Sequence, residues 1–246
     1  MWPAFGNGLT YYNLYFNRGQ VCYPSQCYSY MSMKILKPDV LPNLPIVADL
    51  DKTILVQDVL REVHIDKGDI SANHVVVLDI RESRISKSFF SQTIIKRFEL
   101  RDCIVTDCDF TASKIVESSW QSVELDKCRC SGVQLQSSQL RSVVFRGCKL
   151  DMANFRFANL QDVLFEDCVI NEADFYDATL KNVEFVGCTF EQVAFSAKSF
   201  RNVDISKSEI ISIRGTEKMK GVKISSYQLF ALAPILAANI GIIIED

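Results

Sequence analysis

Nine cysteines stand in this 246-residue chain, and five of them, Cys108, Cys128, Cys148, Cys168 and Cys188, are 20 residues apart. Three close the same phrase, Val-x-Phe-x-x-Cys, in VVFRGC from Val143, VLFEDC from Val163 and VEFVGC from Val183. Thiols in such an array could ligate a metal, form a disulfide framework, or do no chemistry and fill small apolar slots. The only other residues suited to general acid–base work near neutral pH are two histidines, His64 and His74. No glycine-rich phosphate loop and no Gly-x-Ser-x-Gly elbow accompanies them.

What positions these residues is a period of five. Starting at Leu50 and stepping by five to Ile210, 33 consecutive positions are apolar, without insertion. Half the composition is apolar, so chance would break such a run within a few steps. Five is neither the 3.6 of a helix nor the 2 of a flat strand, and the chain must turn a corner every five residues. Two places before each centre stands a second inward residue, small or β-branched: Ala153, Ala158, Ala173, Ala178, and Val123, Val143, Val163, Val183, Val193 and Val203. The other three positions of each pentad carry nearly all the charge and point outward. The 20-residue spacing of the cysteines, shared by Val123, Val143, Val163, Val183 and Val203, says that four pentads close one coil. Equivalent residues then stack in columns about 4.8 Å apart, the spacing of paired strands.

The phrases MANFR, FANLQ, EADFY and DATLK, over 152–161 and 172–181, resemble the consensus of the pentapeptide-repeat family, Ala-Asp/Asn-Leu/Phe followed by two variable residues. The resemblance spans about two thirds of the chain. It implies an all-β fold, a right-handed quadrilateral β-helix with a C-terminal capping helix; 33 pentads predict about eight coils and a height of roughly 40 Å. Some family members resemble B-form DNA in width and charge, and bind DNA gyrase or topoisomerase IV in quinolone or toxin protection. This chain departs from those members because no projecting loop interrupts its pentads and its charge is milder.

The organisation expected is a non-repeat tail over 1–32, an N-terminal cap over 33–49, the repeat β-helix over 50–214, and a cap helix with a short strand over 215–246. The tail holds nine aromatics and one charge, Arg18, and reads as disordered or as a start codon placed too far upstream. The cap segment contains Pro38, Pro42 and Pro45, which suits an edge that must not propagate pairing. Ser225 or Ser226 is placed to cap a helix reaching about Ala238, with GIIIE after it as the strand. That helix is apolar nearly all round, and Leu229, Phe230, Leu232, Ile235 and Leu236 are candidates for a two-fold dimer interface, as the resemblance also implies.

On this scaffold the cysteine column reads as structural. Zinc wants four ligands converging tetrahedrally, whereas a column puts sulfurs on a line. The coil spacing lies within disulfide range, but parallel in-register side chains are poorly set for the perpendicular S–S torsion. Cys130 shares a face with Cys128 and is the one place where a pair would matter. His64 and His74, half a coil apart, point outward on opposite faces. The expectation is therefore no catalytic residue, no metal, no cofactor and no enzyme, with a redox or metal-binding cysteine protein as the outsider.

The net charge of −3 gives no basic footprint for nucleic acid, and no stretch is long enough to span a membrane. An odd number of cysteines and no export signal favour a reducing cytoplasm, and the resemblance implies a bacterial one. Between 157 and 197, however, stand eight acids, Asp162, Glu166, Asp167, Glu172, Asp174, Asp177, Glu184 and Glu191, against Lys181. All eight fall at outward positions, with Arg141, Arg146, Lys149 and Arg156 just below. This belt predicts a rigid surface for protein–protein interaction, with DNA mimicry toward gyrase as the alternative.

Overall fold

The computed structural model describes residues 15–17, 20–22, 27–30, 33–47, 49–54, 59–239 and 241–243. Its body is one parallel β-solenoid of about nine turns. Pairing steps by 20 residues from coil to coil: Val105 lies opposite Leu125, Leu125 opposite Phe145, Phe145 opposite Phe165 and Phe165 opposite Phe185. The coil has four walls, named here by their inward centres: wall A (Ile65 to Ile205), wall B (Ile70 to Ile210), wall C (Val75 to Phe195) and wall D (Leu60 to Phe200). Strands such as Ser119–Asp126, Gln139–Arg146 and Asn159–Glu166 run across walls D and A as continuous ladders. Walls B and C are held largely by single bridges, Asp109 to Arg129 and Asn154 to Asp174 among them.

The corners explain the period. Twenty-three non-glycine residues have φ between 48° and 60°, and each stands two places after a centre, from Glu62 to Asn202. One left-handed residue bends the extended chain at nearly every fifth position, Val77, Arg97 and Ala197 being the exceptions between Glu62 and Asn202, which is why two side chains enter the core and three leave it. Inside, identical side chains stack: the Phe145, Phe165 and Phe185 rings are 4.9 and 4.7 Å apart and within 4° of parallel, and Phe155 lies 5.0 Å below Phe175. Size is balanced across the tower. Cys130, the one small centre of wall B, stands half a coil from Trp120, the largest centre of wall D, and both are buried.

The small inward slots do a second job. Corner N–H groups that no carbonyl reaches are taken by the polar side chain one coil above: Val63 N–H donates to Ser83 Oγ, Gly68 to Ser88 Oγ, Ser118 to Ser138 Oγ and Cys188 to Ser208 Oγ, at 3.0–3.2 Å. Side chains in these slots also donate to carbonyls, Ser83 to Arg81, Ser88 to Ser86, Thr93 to Ile70 and Ser113 to Phe110. Ser, Thr and Cys therefore suit these slots because they satisfy buried backbone as well as filling volume.

At the lower end a short helix, α1 (Leu50–Ile54), replaces the first pentads expected of the β-helix, so regular coils begin near Val59–Arg61. Asp49 caps it, and Leu50 plugs the open core so closely that a Cβ on Gly68 would lie 2.9 Å from Leu50 and from Ile65. Ile46–Val47 pairs beneath His64–Ile65 and adds a rung below the repeats, and Val222–Lys223 adds one above Val203–Asp204.

At the upper end α2 (Ser226–Asn239) lies over the core. Ser225 and Gln228 form a reciprocal capping box, and the buried Gln228 amide also donates to the Ile205 and Ser208 carbonyls, closing the open edge of the last coil. The strand expected after the helix does not form at 241–243; the short strand of this region precedes the helix instead.

Most of the expected tail lies outside the described residues. What is described there pairs: Tyr15–Asn17 with Gln20–Cys22, and Cys27–Tyr30 with Met33–Leu36, both antiparallel. The expected cap segment also does more than cover an end. Ile35 is fully buried on the outside of wall A, against Val144, Leu164 and Val186, five to six coils above Ile46.

Candidate functional site

The acids of the belt separate by what surrounds them. Glu184 is buried, contrary to its expected outward exposure, because Lys207 folds over it with Nζ 2.9 Å from Oε1. Glu166 is bound by Arg146, which reaches down to Glu124 as well and ties three successive coils of wall A. Asp174 takes the Tyr176 N–H at 2.8 Å and faces Arg156 at 3.5 Å. Asp162 accepts from Gln161 and from Asn182, which in turn accepts from Asn202. The remaining four, Asp167, Glu172, Asp177 and Glu191, make no ion pair among the described residues.

The structure brings four of the acids into one pattern. Asp162, Asp167, Glu172 and Asp177 occupy the four successive left-handed corners of a single coil, with φ of 57°, 53°, 54° and 53°. The backbone fixes each Cα–Cβ direction at a corner, so the four side chains leave a rigid ring. Four like charges held on one short circuit raise the local field well above what a net charge of −3 suggests.

Beside the ring is a feature that the sequence reading passed over. Phe157 and Tyr176, both at outward positions, are 50% and 41% exposed, and their rings meet edge-on at 5.9 Å. The Arg156 guanidinium lies 4.6 Å from the Tyr176 ring centroid and 5.7 Å from that of Phe157; Lys218 approaches the Tyr176 ring at 5.5 Å. Aromatic residues and arginine in exposed contact are the composition of interface anchors. The legible signal was a large aromatic at a position that elsewhere carries polar groups.

The dimer candidates divide by helix face. Leu232 is buried in the core and Leu236 is half-buried against it, so these two serve the lid. Leu229, Phe230 and Ile235 are exposed, Phe230 at 81%, and Tyr227 joins them.

The groups suited to chemistry are also placed. His64 and His74 lie on walls A and C of one coil. His64 Nε2 is 2.8 Å from Ser86 Oγ, whose proton goes to Asp66 at 2.7 Å. In a nucleophilic triad histidine stands between serine and carboxylate; here serine is in the middle and its proton is directed away from the imidazole. Among the described residues no group of three or more His, Cys, Asp or Glu is arranged around a metal position. Seven cysteines are free and buried. Burial raises the Cys103 thiol to about 12 and pushes Cys130 up as well. No helix among the described residues is long and apolar enough to cross a membrane.

Parallel pairing at a 20-residue step, left-handed corners every fifth residue and stacked inward centres define a four-sided β-solenoid. Its repeat is the pentapeptide repeat: residues 118–195, roughly a third of the chain, match the family model described as a pentapeptide repeat region. No curated protein matches the sequence significantly. Among solved structures the chain is similar to a trypsin-treated variant of QnrB1, a plasmid-mediated fluoroquinolone resistance protein, at 16% identity and a TM-score of 0.36 over 76% of this chain and 99% of that one. It is also similar to HetL, a pentapeptide repeat protein involved in heterocyst differentiation regulation from the cyanobacterium Nostoc sp. strain PCC 7120, at 16% identity and a TM-score of 0.20 over 68% and 90% of the two chains. A third, Rfr23 from the cyanobacterium Cyanothece 51142, has 13% identity and a TM-score of 0.21 over 56% and 86%.

Proposed function

We propose that this protein is a non-enzymatic cytoplasmic rod whose acidic coil docks a basic surface of a protein partner. The observation that supports this reading most directly is the ring of Asp162, Asp167, Glu172 and Asp177 on one coil, flanked by the Phe157–Tyr176 pair. Fixed carboxylates steer a basic partner and set its orientation, and the aromatic corner supplies the apolar anchor that charge alone lacks. The partner most worth testing is DNA gyrase or topoisomerase IV, for which the rod would stand in for duplex DNA. The test is a supercoiling assay with gyrase, run with and without a quinolone. Wild-type protein is expected to alter the outcome, and the variant carrying Asp162→Asn, Asp167→Asn, Glu172→Gln and Asp177→Asn to have lost the effect. No change with micromolar wild type removes gyrase as the partner.

A two-fold dimer through α2 is a second reading, favoured by the outward exposure of Tyr227 and Phe230 on a helix without a charged residue. Sedimentation should then give a dimer that Phe230→Asp converts to a monomer of unchanged circular dichroism. A wild-type monomer at tens of micromolar would end that reading.

A further inference from the structure

The column of cysteines that fails the tetrahedral requirement of zinc meets those of a different class of ion. Zinc is refused because the sulfurs lie on a line, and a line is the geometry that soft cations of filled d shell adopt when they take two thiolates. We propose that adjacent thiols of the column, Cys108, Cys128, Cys148, Cys168 and Cys188, form a binding site for a linear two-coordinate soft cation, of which the mercuric ion is the best match.

The first support is distance. Side chains stacked coil on coil repeat at 4.7–5.0 Å in this structure, as the paired phenylalanine rings measure. Two metal–thiolate bonds of about 2.3 Å laid end to end span about 4.6 Å. An ion midway between neighbouring sulfurs therefore needs almost no movement of either coil.

The second support is direction. Four thiols of the column donate to the carbonyl 23 residues earlier, Cys128 to Val105, Cys148 to Leu125, Cys168 to Phe145 and Cys188 to Phe165, at 3.4–3.7 Å, and Cys108 donates to Thr106 at 3.3 Å. The sulfurs are thus held in one repeated orientation.

The third support is charge. The column is buried, so a bound complex must be close to neutral. Two thiols that release their protons to solvent and give one lone pair each to a divalent cation form a neutral bis-thiolate. A monovalent ion of the same geometry, cuprous or silver, would leave a net negative charge in the core. Softness excludes calcium and magnesium, and geometry excludes zinc. Five thiols make two independent pairs with one left over, which sets the capacity at two ions per chain. Since the slots are closed in the folded tower, the ion enters as the coils close during refolding.

The test uses the full chain with the other thiols removed, by Cys22→Ser, Cys27→Ser, Cys103→Ser and Cys130→Ala, refolded with mercuric chloride under reducing-agent-free conditions. Native mass spectrometry should show two ions, each displacing two protons, and X-ray absorption should show two sulfur neighbours per mercury. Two further variants remove the same number of thiols. Cys108→Ser with Cys128→Ser leaves three adjacent thiols and should bind one ion. Cys128→Ser with Cys168→Ser leaves three thiols with no neighbours and should hold no ion between two sulfurs: any mercury it takes keeps a chloride and displaces one proton. Serine already occupies this column at Ser88 and Ser208, so the fold is expected to survive, and circular dichroism checks it. An ion displacing two protons in both variants, or in neither, overturns the proposal. So does a coordination number of three or four on the parent chain, a readout that depends on neither variant.

Discussion

Ile35→Ala should loosen the whole lower half of the rod, although Ile35 lies outside every coil. Its side chain is fully buried against Val144 and Leu164, themselves at most 2% exposed, with Val186 packed alongside. Fully burying an isoleucine is worth about 1.5–3 kcal/mol, and truncating one to alanine in a closed site costs about 2–5. The wall lets the strap settle inward after truncation, which favours the lower end, about 2 kcal/mol. At the size of this chain that corresponds to a fall of roughly 4–8 °C in the unfolding midpoint. The strap also has little slack: ten peptide steps from Leu36 to Ile46 reach at most ~33–36 Å, against roughly 24–30 Å for five to six coils. Loss of the upper anchor should therefore free the strand Ile46–Val47 and expose α1, so that hydrogen exchange accelerates at 46–66 as well as at 33–36. The assay is thermal unfolding of wild type, Ile35→Ala, Leu164→Ala and the double variant, with hydrogen exchange on the first two. A coupling energy near 1 kcal/mol between the two sites is expected. Strictly additive effects, or an Ile35→Ala midpoint equal to that of wild type, would refute the reasoning.

Three other perturbations follow from the ends and the core. Gly68→Ala sets a methyl 2.9 Å from Leu50 and Ile65 and should cost about 1–3 kcal/mol, with exchange increased in the first coils and unchanged near Phe185. Gln228→Leu keeps the volume but leaves the Ile205 and Ser208 carbonyls without their donor; a loss of about 1–3 kcal/mol is expected, measured by urea unfolding, and a neutral result would show that water closes that edge. Burial holds the Cys103 thiol protonated up to about 12 from its ordinary 9.0, so the unfolded chain ionises first. The stability this lends is complete below pH 9 and is lost as pH climbs from 9 toward 12, and Cys103→Ser should flatten that part of the stability profile.

The pentad period made the coil, its four walls and its inward residues legible, because stacking in register leaves no freedom to the centres. It also placed the cysteines correctly as inward. What it could not give was anything set by contact between segments remote in sequence. Leu50 continues the five-residue run yet belongs to α1, since a rod must close its end and an apolar residue in phase with the core is the one that can. Val144, Leu164 and Val186 stand at outward positions where charge is the rule, and that breach of the pattern was the visible sign of a covered patch. Nothing in their spacing named Ile35 as the cover. Glu184 looked free for the same reason: Lys207, its partner, is brought over it by a shift in register between 186 and 207 that breaks the 20-residue step.

The acidic coil is the point at which fold and function have to be separated. Left-handed corners tolerate Asp and Asn better than most residues, so some of the ring is what the backbone selects. Geometry does not require it, however, because the same kind of corner holds Lys67, Lys87, Lys127, Met152, Phe157 and Gln192 elsewhere on the rod. A corner with lysine and a corner with aspartate bend the chain equally. The sign of the charge is thus free of the fold, and four acids in succession use a freedom that other coils use differently. Asparagine keeps the corner preference of aspartate and removes only its charge, and glutamine does the same for Glu172. The neutralised variant should therefore fold as wild type does. Any partner lost with it is lost to the field of the ring and not to a damaged coil.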